Sequence, residues 1–128
     1  MENLFGEVIS RYSRAQAIED GELVDLTPWA RETGFRYPVA CTRAVWADFI
    51  AWPDEGQHGQ SERGRAHDVL FVLFCAIKAG ASGDRVEFKV HRIIPGASHH
   101  ARAGNLYSVC GPGDDPSPVL TIMLPEED

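Results

Sequence analysis

The stretch SRYSRAQAIEDGELVDLTPWARETGFRYPVACTRAVW, residues 10–46, alternates signals that start and stop helices, and its reading decides the fold. Ser13 and Gln16 have the spacing of a capping box, in which the serine oxygen meets one orphan amide and the glutamine returns to another. A short helix is expected from Arg14 to about Asp20. Gly21 closes it by adopting the left-handed conformation, and Leu23–Leu26 follow as a short extended segment. Thr27 and Pro28 start a second helix, since proline lacks an amide that would be unpaired at that position anyway. Gly34 ends it. Phe35–Ala40 reads as an extended connection, because Pro38 discourages helix at Tyr37 and removes one ladder hydrogen bond.

Outward from this stretch, Thr42 caps a third helix. Val45, Trp46, Phe49, Ile50 and Trp52 give it one apolar face, and Pro53 stops it. DEGQHGQSERG, residues 54–64, has no hydrophobic period and reads as an exposed loop. Val69, Leu70, Leu73, Phe74 and Ile77 then recur at three- and four-residue intervals, placing a long apolar helix at the centre of the core with Cys75 as filling. Arg85–His91 alternates, with Val86, Phe88 and Val90 on one face and Arg85, Glu87, Lys89 and His91 on the other, so it is a strand with one wet side. Asn105–Cys110 and Val119–Leu124 are further strands, joined by the turn GPGDDPSP. The expected architecture is α+β: helices in the N-terminal two-thirds packed on a small antiparallel C-terminal sheet of about three strands, all within a single compact domain spanning residues 1–128.

With 128 residues the chain can enclose a core without disulfides or a structural metal. Nineteen acidic residues oppose twelve basic ones, a net charge of −7. Residues 1–60 hold ten acids and five arginines, −5 of that total. A negative surface repels phosphate backbones, which argues against direct nucleic-acid binding and for a cationic or neutral partner. Cys41, Cys75 and Cys110 are odd in number and far apart, a pattern that suits a reducing cytoplasm. The apolar run Val69–Ile77 is about half of what a bilayer span needs.

No catalytic motif stands out. His99 and His100 are adjacent, so in extended chain they diverge and would need Cys110 or Asp114 to hold a metal; no metal or cofactor is expected. His67 and Asp68, beside Arg63 and Arg65, are the one acid/base group from which a small hydrolase or transferase could be built, although a carboxylate near a helix N-terminus is explained by the macrodipole. The acidic groups are more suggestive: Glu19, Asp20, Glu22 and Asp25 near one turn, Asp54 and Glu55 in the loop, Asp114 and Asp115, and Glu126–Asp128. Gathered on one face, they would imitate the spacing of phosphates and engage arginine-rich grooves.

At YSRAQAIEDGELVD, GFRYPVACTRAVW, GRAHDVLF and the closing PVLTIMLPEED, the chain resembles a family of short uncharacterised proteins encoded by bacterial phages, plasmids and integrative conjugative elements. The resemblance brings no active-site residues. It implies an accessory role in a mobile element, such as countering host defence, and some acidic proteins of this kind inhibit CRISPR-Cas or restriction complexes by occupying DNA-binding surfaces. The expected function is therefore non-enzymatic binding to a host protein or ribonucleoprotein with a basic surface, through Glu19, Asp20, Glu22, Asp54 and Glu55. A regulatory homodimer, using the free edge of the meander or an exposed tryptophan, is the remaining alternative.

Overall fold

The computed structural model describes residues 12–53, 59–80, 83–96 and 100–127. In chain order its elements are α1 (Arg14–Glu19), β1 (Leu23–Asp25), α2 (Thr27–Thr33), β2 (Val39–Thr42), α3 (Arg43–Val45, continued by a π-helical turn at Trp46–Ile50), α4 (Glu62–Lys78), β3 (Arg85–Arg92), β4 (Arg102–Pro112) and β5 (Pro118–Met123).

The strands form one sheet in the order β1-β2-β5-β4-β3. β3 pairs antiparallel with β4 and β4 with β5, β2 lies parallel to β5, and β1 closes the far edge antiparallel to β2. This corrects the expected helices-then-small-sheet arrangement. The sheet has five strands, it is mixed, and the two extra strands come from the N-terminal part, between helices. The sequence presents Leu23–Leu26 as a short extended segment and Phe35–Ala40, with Pro38, as an extended connection, and neither announces a sheet partner. The structure satisfies both from a distance. Pro38 stands just before β2, where its carbonyl accepts Leu120 N at 2.9 Å, and its missing amide costs the ladder nothing.

Register explains the layering, since residues directly opposite share a face. Val24, Cys41 and Ile122 line up on one side, followed by Val39 and Leu120, and by the pairs Val86↔Ser108 and Phe88↔Leu106. That face is buried by Leu26 just before α2 and Ala30 within it, Val45, Phe49 and Ile50 of α3 and its π turn, and Ala66, Val69, Leu70 and Leu73 of α4. The opposite face carries Thr121, Tyr107 and Thr42. Arg14 of α1 donates to Thr121 Oγ1, and the chain after β5 folds back so that Glu127 takes hydrogen bonds from Tyr107 and Thr42.

Three local expectations change. The helix after Thr42 makes one α turn, capped by Thr42 Oγ1 on Val45 N at 3.2 Å. It then widens, with Ala51 N donating to Trp46 O at 2.7 Å, five residues back. α4 starts at Glu62, inside the expected loop, because Ser61 Oγ accepts Gly64 N and caps it. The remaining loop residues 54–58 lie outside the described residues. α4 also keeps one side open: Phe71, Cys75 and Ile77 are exposed, contrary to the expected core placement of Cys75 and Ile77. Cys75 lies two positions past Leu73, about 200° round the helix from the buried stripe.

Candidate functional site

The corner where α1 meets the sheet is built by short-range chemistry. Ser13 Oγ accepts Gln16 N at 3.0 Å, but the glutamine does not return to the cap; its Nε2 donates to Asp20 Oδ1 at 3.3 Å. Gly21, at φ +82°, turns the chain into β1. Asp20 also accepts the Tyr12 hydroxyl at 2.6 Å, and that hydrogen bond, with burial and the charges of Asp20 and Glu22, pushes the phenol up to about 12. Glu22 pairs with Arg43 at 3.4 Å, both more than half exposed, and Glu19 is exposed. Asp25 is spent on local structure, accepting Thr27 N and Oγ1 ahead of α2.

A second acidic group joins this corner across the whole chain. Asp114, in the β4–β5 turn, accepts Arg14 N at 2.6 Å and Ala15 N at 3.0 Å, taking two orphan amides of α1. Arg14 reaches inward, donating to Thr121 Oγ1 at 2.7 Å and Leu120 O at 2.8 Å. Burial lowers its pKa while Asp25 and Asp114 oppose that shift. A helix of six residues is only about 9 Å long, so Asp114 and Asp115 at one end stand near Glu19, Asp20 and Glu22 at the other. A shallow cavity of about 390 Å³, lined among others by Tyr12, Arg14, Leu23 and Asp114, lies at this corner. Of the five residues expected to meet a partner, Glu19, Asp20 and Glu22 thus share one corner. Asp54 and Glu55 lie outside the described residues.

The His67, Asp68, Arg63 and Arg65 group does not share a cleft. Arg63 pairs with Glu32 of α2 at 2.7 Å on the surface, and the exposed His67 ring stacks on Phe71 with centroids 5.9 Å apart. These residues recur at i, i+4, i+8 on the outer side of α4. Arg65 points the other way and is buried. It borders a cavity of about 180 Å³ with Asp68, while Arg63 and His67 do not. His99 lies outside the described residues and His100 is exposed; among the described residues no three His, Cys, Asp or Glu side chains gather within metal-binding range.

Two features escaped the sequence reading. Arg65 and Arg92 both fall in the apolar phase of their elements, Arg65 one turn before Val69 and Leu73, and Arg92 two residues past Val90. A charge in a buried phase was the available signal. Arg92 pairs with Asp48 at 2.8 Å and lies over the Phe49 ring, 4.3 Å from its centroid. The second is an apolar recess of about 340 Å³ between the ends of α2 and α4 and the sheet, lined by Phe35, Tyr37, Phe74, Ile77, Val86 and Cys110 among others. Phe35 and Phe74 meet edge to face across it at 5.5 Å, and Lys78 stands 5.5 Å from the Phe74 ring.

Among the described residues no helix is long and apolar enough to cross a membrane. No curated protein and no solved structure matches this chain. A family of unknown function matches over its full length, residues 1–128, and the chain belongs to that family, DUF6573.

Proposed function

We propose that this protein is a non-enzymatic binding protein whose acidic corner docks on a basic surface of another protein or ribonucleoprotein. The observation that carries this reading is the Asp114 clamp on α1. It holds the β4–β5 turn at the start of α1, about 100 positions away in sequence, one short helix from Glu19, Asp20 and Glu22. Glu19, Asp20, Glu22 and Asp115 are exposed at this corner. The exposed Glu22–Arg43 pair is weak enough for an incoming arginine to compete with it. The resemblance to proteins of phages, plasmids and conjugative elements extends the reading: the partner is a host nucleic-acid-targeting defence complex, such as a CRISPR-Cas effector, and the acidic corner occupies a groove built for phosphates.

The test is affinity capture from bacterial lysate at 50 and 300 mM salt, with the wild type and a Glu19→Lys/Glu22→Lys/Asp115→Lys variant. Screening shortens charge interactions to about 8 Å at physiological ionic strength, so the specific partner should be retained at low salt and depleted at high salt. It should be lost at both with the variant, whose circular dichroism stays that of the wild type. A partner held equally by the variant and at high salt would defeat the proposal.

A further inference from the structure

The sheet ends on β3, which among the described residues pairs with β4 alone. Its exposure alternates: Val86, Phe88 and Val90 are buried on the helix side, and Arg85, Glu87, Lys89 and His91 stand in solvent. One hydrogen bond fixes the phase of its backbone. Cys110 N donates to Asp84 O at 2.8 Å, and these two residues continue the register Arg85↔Val109, so they form a directly bonded pair. Even-numbered positions of β3 therefore turn their amides and carbonyls to β4. Those of Arg85, Glu87, Lys89 and His91 point away from the sheet, where no strand of the described residues receives them. This is a long open ladder; β1, at the opposite edge, has three residues.

We infer that this edge pairs with the same edge of a second copy of the chain, antiparallel about a two-fold axis at Phe88. Two-fold symmetry allows a strand to meet its own copy only in the antiparallel sense. The order of side chains selects the register. With Phe88 on the axis, Glu87 lies opposite the partner's Lys89, Lys89 opposite the partner's Glu87, and Val86 opposite the partner's Val90. The outward backbone groups of Arg85–His91 then form about eight hydrogen bonds across the axis. An axis at Glu87 or Lys89 would set a charge against its own copy, and one at Val86 or Val90 shortens the overlap. A slip of one residue turns the partner's charged face toward the helices. Lys89 makes no ion pair among the described residues, and Glu87 meets only Arg85, at 3.5 Å and largely exposed. Arg85 faces the partner's His91, a pairing without attraction. Charges on an outer strand ordinarily guard it against indiscriminate pairing. Here their order admits one partner in one register. The edge lies across the sheet from β1 and the acidic corner, which the pairing leaves open.

The test is sedimentation equilibrium of the full-length chain over a range of concentrations, for the wild type, Glu87→Lys, Lys89→Glu and the double exchange Glu87→Lys/Lys89→Glu. Both positions are exposed, so the fold is spared. The wild type should dimerise. Each single variant converts both Glu–Lys contacts to like-charge contacts and should weaken the dimer about tenfold or more. The double exchange should restore it. An equimolar mixture of the two single variants should form a heterodimer, because every contact between them is again of opposite sign. Amide exchange should show Arg85, Glu87, Lys89 and His91 gaining protection as concentration rises, with Val86, Phe88 and Val90 protected throughout. A chain that stays monomeric up to about 1 mM would overturn the inference. So would a dimer indifferent to either single variant, single variants that fail to associate on mixing, or a dimer whose odd-numbered β3 amides exchange freely. None of these results bears on the acidic corner, whose own variants lie elsewhere.

Discussion

Cys41 is fully buried in β2, opposite Val24 on one side and Ile122 on the other. Burial, with a smaller push from the Glu127 charge, raises its thiol from 9.0 to about 12. The folded state therefore holds the neutral thiol, and unfolding releases one that ionises near 9. The stability this represents is fully present below pH 9 and is lost as pH climbs from 9 to 12, up to about 4 kcal/mol across the window. Urea titrations should show the wild type losing stability faster than Cys41→Ala over that range, the variant starting about 1 kcal/mol lower at pH 7, the two curves crossing near about pH 10 and the wild type lying below the variant at pH 11. Parallel curves would mean that Cys41 ionises no differently once folded. Burial at this position was hidden in the sequence, where PVACT sits between a proline and a helix cap. The exposure of Cys75 was readable, because its angle from Leu73 on the helix follows from the 3.6 period alone. The buried arginines were half readable: phase marked Arg65 and Arg92 as inward, but only the fold sets one beside the other.

At the scale of elements, the π turn and β4 are fitted to each other at one glycine. A methyl group on Gly104 would stand 2.5 Å from Phe49 Cζ and 2.9 Å from Arg92 Nη1. Phe49 is buried and Arg92 is held by Asp48, so neither can withdraw cheaply. Gly104→Ala should cost about 1–3 kcal/mol in chemical denaturation. It should also disturb the Arg92–Asp48 pair, seen as a shift of the Arg92 side-chain resonances. A variant within 0.5 kcal/mol of wild type, on the order of an ordinary surface change, would show that Phe49 has room to move. The period of Val45, Trp46, Phe49 and Ile50 placed an apolar helix here. It did not show the widening to five-residue hydrogen bonds, because the packing of Phe49 over β4 is a tertiary fact. β1 and β2 were missed for a related reason. Three or four residues carry too little alternation to distinguish a strand from an extended connection, and what makes them strands is a partner elsewhere in the chain.

For the whole molecule, that partner is β5, which pairs with β2 on one side and β4 on the other. Cys41 and Ile122 are opposite each other although about 80 positions apart, a contact that local patterning cannot announce and that folds only after a large loop-closure cost. The consequence is mutual dependence. Residues 1–80 on their own would leave β2 without its parallel neighbour and the Val69, Leu70 and Leu73 stripe of α4 without Val86, Phe88 and Val90 beneath it. Residues 81–128 would form at best a three-stranded meander with Val86, Phe88, Leu106, Leu120 and Ile122 bare on one face, a surface that drives association. The two fragments, made separately, should each lack native circular dichroism. Mixed, they should recover it in a 1:1 complex, with fluorescence of Trp29, Trp46 and Trp52 and the strand signal of β3–β5 returning together. In the intact chain the same coupling predicts one denaturant transition seen identically by both probes. A folded, monomeric 81–128 fragment would show that the meander is self-sufficient and that β1 and β2 are an addition to its edge. Ile122→Ala then distinguishes the cases in the full chain. If β5 joins the halves, its loss of about 2–5 kcal/mol moves both probes equally, and if the meander stands alone the tryptophan signal melts first.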